Sequence, residues 1–404
     1  MKNLSKLAHA YALKNALSHE GKAQQGAVIS SLFHEGLKKQ DVKKYIREIN
    51  DIVSSVNKLS LEEQSQEFEE LKSIISERHE REGLPELPNA KKGKVIMRIS
   101  PAPSGPMHVG NAIIAVMNYL YVKRYGGKFY VRIEDTNPEN IYRPAYKLIE
   151  KDFKWLFEGN AEIVMQSERM KIYYDYAKKL IMKNNAYVCT CSGDEFREFS
   201  KQKKECPCRK LTVKENESRW KKMLSKNGYA QGEAVLRFKT PDEFFGMKNP
   251  NPAMRDFPLA RINETEHPLQ KNKYRVWPLM NLSVTADDID MKMTHIIRGK
   301  DHKDNAERQK MIYKVLGKKY PWIAFIGRYK FRDFELSKTK IKQGILSGEY
   351  SGWNDPKIPT ISSLKKQGYR PEAFFRFAEQ KGLSEADRVM DKKEFFTLLD
   401  SFNK

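Results

Sequence analysis

The sequence predicts an α/β protein organised around a parallel sheet, on three observations. Residues 94–99 form an apolar strand that breaks at Pro101, Pro103, Gly105 and Pro106. Residues 112–125 then carry apolar side chains at helical spacing, and residues 128–133, after Gly126 and Gly127, alternate as a second strand. A strand, a helix and a strand in this order imply a right-handed parallel crossover. Further on, the strand-like runs at 276–284 and 294–298 each lead into polar groups, as strands do where a ligand crevice opens at the carboxyl edge of such a sheet.

With 404 residues and 40% apolar content, the chain has room for roughly two to four domains with packed cores. It contains no run of eighteen apolar residues and no apolar N-terminal core followed by a cleavage site, so no membrane association and a cytoplasmic location are expected. The net charge of +22 makes nucleic acid the expected large partner. Solubility or heat tolerance is the alternative use of so many lysines.

Taken in order, residues 1–88 read as an N-terminal helical module, with helix periodicity at 42–56 and 61–75 and a Gly/Pro-rich linker at 83–93. Residues 89–185 form the first half of the sheet domain. There the turn after the first strand delivers His108 and Gly110 to a helix start. Unpaired backbone N–H groups at such a start attract anions, and a glycine lets a ligand approach closely. The His108 turn and the strand end at Glu134 are therefore expected to share one cleft.

Residues 186–273 read as an insertion. It holds all four cysteines as two close pairs, Cys189/Cys191 and Cys206/Cys208, with fourteen residues between the pairs. Two such thiolate pairs in an intracellular chain suit a closed, tetrahedral, structural Zn2+ site. Residues 192–204 offer only Phe196 and Phe199 for burial, so they are expected to be loop ordered by the metal. A strand signal at 234–239 and a turn-rich stretch at 250–258 complete the insertion. Residues 274–330 resume the sheet. In them Arg298 is either a carboxylate clamp or a surface ion-pair residue, and Asp301 and His302 are candidate caps for a helix beginning near Asn305. Residues 331–404 open on Ser337, Lys338 and Lys340. Alone this is a solvated charge run. Opposite the His108 turn, it could close on a triphosphate.

Together these segments resemble the class I glutamyl-tRNA synthetases, in their archaeal branch, over essentially the whole chain. The His-Ile-Gly-His signature is matched by His108-Val-Gly-Asn111 and the Lys-Met-Ser-Lys-Ser signature by Glu335-Leu-Ser-Lys338-Thr. Longer stretches are more specific: Tyr130-Val-Arg-Ile-Glu-Asp-Thr-Asn-Pro, Ala186-Tyr-Val-Cys-Thr-Cys, Thr294-His-Ile-Ile-Arg-Gly-Lys-Asp-His and Gly348-Glu-Tyr-Ser-Gly-Trp-Asn-Asp-Pro. The resemblance implies a Rossmann-like catalytic domain with an inserted zinc-bearing acceptor-end domain and a helical stem-contact region within 331–404. It also implies ATP- and Mg2+-dependent activation of L-glutamate and transfer to tRNA(Glu), with tRNA(Gln) a second candidate. By the same resemblance His108, Asn111, Lys338 and Lys340 are catalytic, and Pro103, Gly105, Gly110 and Ser337 join His108 and Lys338 around ATP. Arg98, Ser100, Glu134, Met280 and Arg298 hold glutamate, and the four cysteines hold the metal.

Four positions depart from the family pattern. Asn111 replaces a histidine, Glu335 a lysine, Met280 a tyrosine, and Ala102 a frequently polar residue. Such changes fit retuned substrate binding, or a catalytically silent or substrate-altered paralogue that binds tRNA or charges another acceptor. The family's C-terminal anticodon-binding barrel would begin just past Lys404. The expectations are a shortened chain, recognition through the acceptor arm alone, or a partner chain.

Overall fold

Amphipathic periodicity near the N-terminus folds as α1 (Leu4–Leu17), α2 (Gln25–His34), α3 (Val42–Val56) and α4 (Leu61–Leu71), packed around Leu13, Val28, Leu32, Ile49 and Val53. Ser60 and Glu63 exchange side chain–backbone hydrogen bonds as a capping box that starts α4. The period expected to run to residue 75 tightens instead into a 3-10 turn, Lys72–Ile74. In the computed structural model, which describes residues 3–76, 83–334 and 336–404, the chain forms two compact units, Met1–Glu80 and Arg81–Lys404. Glu335 lies outside the described residues. Among the described residues no helix is long and apolar enough to cross a membrane.

The second unit begins with β1 (Val95–Ile99), α5 (Val109–Tyr125), β2 (Gly127–Ile133), α6 (Ala145–Leu156) and β3 (Glu162–Met165). β1 pairs parallel to β2 with Val95 opposite Gly127, and β2 pairs parallel to β3. Gly127 has φ 142°, and a Cβ there would lie 1.9 Å from the Val95 carbonyl oxygen, so a glycine is needed to start the pairing.

The chain then leaves through α7 (Met170–Met182) into an antiparallel sheet. This runs β4 (Ala186–Cys189), α8 (Gly193–Lys201), α9 (Val213–Leu224), β5 (Val235–Phe238), β6 (Pro258–Ile262) and β7 (Val276–Pro278), with strand order β4-β5-β6-β7. α8 corrects the expected loop at 192–204. A Ser192/Glu195 capping box starts it and buried Phe196 anchors it, so local hydrogen bonding orders this segment.

The run after β7 is a second correction. Only Val276–Pro278 is strand, and α10 (Met280–Asp290) follows. Its residues from Asn281 to Asp288 are all buried, so it has no polar face to reveal a helical period. β8 (His295–Gly299), α11 (Lys303–Val315) and β9 (Trp322–Ile326) return to the parallel layer, where β8 pairs parallel to β9. α11 starts at Lys303, near the expected Asn305, and the His302 side chain does not cap it. The Thr294 N–H donates to Ile96 O at 3.0 Å, placing β8 beside β1. The layer thus reads β3-β2-β1-β8-β9, and its strand order, not the strand direction, reverses between β1 and β8, where ligands bind in such folds.

The remainder is β10 (Tyr329–Phe331), α12 (Lys338–Leu346), α13 (Ile361–Lys366), α14 (Pro371–Lys381), β11 (Arg388–Met390) and α15 (Lys392–Phe402), with β10 parallel to β11. α14 and α15 bury Phe374, Phe377 and Phe395 in the same core as β1, β2 and α5.

At the reversal point, buried Asn118 of α5 serves β8 as an artificial strand neighbour. Its Nδ2 donates to Ile297 O at 3.0 Å and its Oδ1 accepts the Ile297 N–H at 3.2 Å. Replacing Asn118 by Leu keeps the size but strands two buried backbone groups. We expect a loss of about 2–4 kcal/mol in urea unfolding.

Candidate active site

The carboxyl ends of β1, β2 and β8, the turn after β1 and the starts of α5, α10 and α12 enclose a cavity of about 310 Å³. It gathers Arg98, Ser100, Ala102, Asn111, Glu134, Met280, Arg298, His302 and Lys338 from the residues singled out in the sequence, and adds Ser104. Pro103, Gly105, His108, Gly110, Ser337 and Lys340 do not line it.

A charge network forms the floor. Arg98 donates to Asp288 through Nε at 2.9 Å and Nη2 at 2.7 Å, and Arg132 Nη1 donates to the same carboxylate at 2.6 Å. Arg132 Nη2 reaches Ser100 Oγ at 3.2 Å. Asp287 beside it accepts from Gln166 Nε2, Arg169 Nε and Tyr173 OH at 2.7–2.9 Å. Burial alone would raise the Asp288 carboxyl, but Arg98 and Arg132 hold it down at about 2. In the sequence Asp287 and Asp288 are legible only as polar groups at the end of an apolar run, and Arg132 only as part of a family-like stretch, with no role assigned to any of the three. The available signal was a pair of acids inside an apolar run.

This network commits two of Arg98's three nitrogens to Asp288, so Arg98 is less a free clamp than a wall of the pocket. Arg298 differs. It is 7% exposed, its Nη1 donates to the neutral Gln309 amide at 3.0 Å, and its buried Nε has no partner among the described residues. Burial, reinforced by Arg98, lowers it to about 10. Glu134 sits nearby with Arg132 Nη2 at 3.8 Å, and burial pushes its carboxyl up against the pull of Arg132, Arg98 and Arg298. The cavity therefore offers an incompletely neutralised guanidinium beside a carboxylate, a pairing that suits a zwitterion carrying a second carboxylate. His302, lowered to about 4 by burial and then by Arg298, is a neutral ring in the same wall.

At the other end, Lys338 begins α12, with Ser337 Oγ accepting the Lys340 N–H as its cap. Lys338 Nζ donates to the carbonyls of Ala102 and Gly105, each at 3.2 Å, so the two signature elements touch. Burial lowers Lys338 to about 8, with Asp152 opposing. Burial and then Lys338 push His108 down to about 3, so this imidazole is neutral. Lys340 is exposed.

Two glycines expected to admit a ligand have other neighbours. A Cβ on Gly105 would meet the Trp353 ring at 2.9 Å, and one on Gly110 would meet the His108 ring at 3.3 Å. The expected free amides are also reduced, because the Val109 N–H donates to Pro359 O at 3.0 Å.

The cysteines converge in the inserted sheet. Sγ atoms of Cys189 and Cys206, and of Cys191 and Cys208, lie 3.9 Å apart, and those of Cys189, Cys191 and Cys208 all lie within 4.8 Å. A zinc tetrathiolate with bonds of about 2.3 Å has sulfur–sulfur edges of about 3.8 Å. The Thr190 N–H and Arg219 Nη1 point at Cys208 Sγ, each at 3.4 Å, as donors to a thiolate would.

Residues 94–400 match the family model described as tRNA synthetases class I (E and Q), catalytic domain. The chain is 42% identical to the glutamate–tRNA ligase of Methanobrevibacter smithii over 408 residues, covering 100% of this chain and 71% of that one. It is 44% identical to the glutamate–tRNA ligase of Pyrococcus furiosus over 402 residues, covering 96% and 68%. In fold it is similar to a glutamate tRNA ligase from Elizabethkingia meningosepticum crystallised with its amino acid. That match has a TM-score of 0.54 at 20% identity, over 77% of this chain and 69% of that one. With its two signature elements meeting at the carboxyl edge of the parallel layer, the chain belongs to the glutamate–tRNA ligases of the class I (E and Q) synthetase family.

Proposed function

We propose that this chain activates L-glutamate with MgATP and charges tRNA(Glu). In the first step the glutamate α-carboxylate forms a bond to the ATP α-phosphorus and pyrophosphate leaves. In the second, a hydroxyl of the terminal tRNA ribose attacks the glutamyl carbonyl and AMP leaves. The observation that carries the reading is Arg298, a buried cation with a neutral partner in a cavity of amino-acid size. A substrate carboxylate would complete its charge pairing, Arg98 would contribute its field, and Glu134 would receive the ammonium group.

Lys338 and its Ser337-capped helix start stand on the phosphate side. Lys338 currently holds two carbonyls of the turn after β1, contacts a triphosphate could exchange for its own oxygens. A cation there stabilises the charge that develops as pyrophosphate departs. Neutral His108 can donate or accept a hydrogen bond but brings no charge. Met280 offers a thioether where a hydroxyl could donate, so polar recognition falls to Arg298, Glu134 and His302.

The inserted sheet would meet the acceptor end, with Cys189, Cys191, Cys206 and Cys208 holding a structural Zn2+ whose bonds tie the end of β4 to the 3-10 turn Pro207–Lys210.

Glutamate- and tRNA(Glu)-dependent pyrophosphate exchange tests the reading, and no exchange with intact tRNA would sink it. In that assay Lys338→Ala is expected to lower kcat by about 10²–10³-fold while tRNA affinity stays within about threefold. Equal losses would assign Lys338 to the tRNA surface. Arg298→Gln is expected to raise the glutamate KM by about 100-fold with little change in ATP KM. Metal analysis should find about one zinc per chain, and Cys208→Ser should lose it. A zinc-free, normally folded protein would refute the assignment.

A further inference from the structure

Asp152 of α6 is 5% exposed, yet it touches two elements that frame the phosphate side of the site. Its Oδ2 accepts the Met107 N–H at 3.0 Å, immediately before His108, and its Oδ1 accepts the Ser362 hydroxyl of α13 at 2.9 Å. The same two segments also pair through their backbones. The Ile361 N–H donates to Met107 O at 2.9 Å and the Val109 N–H to Pro359 O at 3.0 Å, with His108 bridged to Thr360 between them. A buried carboxylate is costly unless its oxygens are satisfied, so its place behind this turn needs a reason.

We infer that Asp152 is a positioning residue of the phosphate site, clamping the backbone that carries His108 against α13. The inference rests on the ligase reading for what is positioned, though not for the clamp itself. The charged groups facing Asp152 are Lys338 of α12 and Lys365 of α13, while His108 is neutral. Burial pushes the Asp152 carboxyl up to about 6, opposed by the Met107 and Ser362 hydrogen bonds and by both lysines. Asp152 in turn resists the fall of Lys338. Asp152 is therefore an anion and Lys338 a cation together only between about pH 6 and pH 8. Below that window the clamp loses its charge, and above it the lysine does.

The experiment measures ATP affinity by calorimetry and pyrophosphate exchange across pH 5–9 for wild type, Asp152→Asn and Ser362→Ala. Asp152→Asn is expected to weaken ATP binding and exchange by about tenfold, to abolish the acid limb near pH 6 and to move the alkaline limb downward. The glutamate KM should stay within about twofold. Ser362→Ala removes a hydrogen bond that favours the carboxylate, so its acid limb should move up in pH while its plateau is kept. Asp152→Asn with wild-type affinity and profile overturns the proposal. If Asp152→Asn does not fold, the Ser362→Ala limb decides, and an unmoved or missing limb overturns it. A wild type that binds ATP with this profile but does not exchange pyrophosphate in the presence of glutamate defeats the ligase reading and leaves the clamp standing.

Discussion

Everything around the cavity depends on one buried carboxylate held by two arginines. Asp288 lies on α10, Arg98 on β1 and Arg132 on β2, and the three side chains are 2%, 3% and 0% exposed. Removing Asp288 would leave Arg98 as an unpaired charge where water cannot reach, a loss of about 3–5 kcal/mol in comparable buried pairs. The bidentate fork from Arg98 adds direction to this energy. α10, which follows the inserted sheet, is thereby locked to the parallel layer, and its first residue, Met280, is set in the cavity wall.

The same network divides the labour among cations. Arg98 and Arg132 are matched to Asp288 and Asp287, so their charge is structural and contributes a field. Arg298, on the neighbouring strand, donates its hydrogen bond to the neutral Gln309 amide and retains capacity for an anion. Three arginines close together without added acids would repel one another, and with every arginine paired there would be no affinity for a carboxylate. The observed balance leaves one incompletely neutralised cation in a polar cavity, with Glu134 to orient an amino group.

Much of this was legible in the chain. The strand–turn–helix–strand at residues 94–133 is a local pattern, and the parallel pairing that follows from it is seen. The two cysteine pairs and the signature elements could also be read as motifs, because each is a short run whose chemistry depends on its immediate neighbours. Lost from view were α8, whose order comes from a capping box and one buried phenylalanine, and α10, whose buried surface erases the period. Gly105 and Gly110 were legible as special positions but not for their reason. Gly105 is next to the ring of Trp353, far along the chain, and Gly110 is next to the ring of its near neighbour His108.

By itself, then, the sequence determined the α/β class, the family and the residue types available for phosphate, carboxylate and thiolate chemistry. These follow from spacing along the chain, which hydrogen-bond periodicity and turn chemistry read directly. Only the tertiary structure decided which charges are neutralised and which remain for a ligand. Arg98 and Asp288 are 190 residues apart, and Asp152 and Ser362 are 210. Whether such groups meet is set by packing that excludes water, and that exclusion is what separates a structural arginine from one that can bind a substrate.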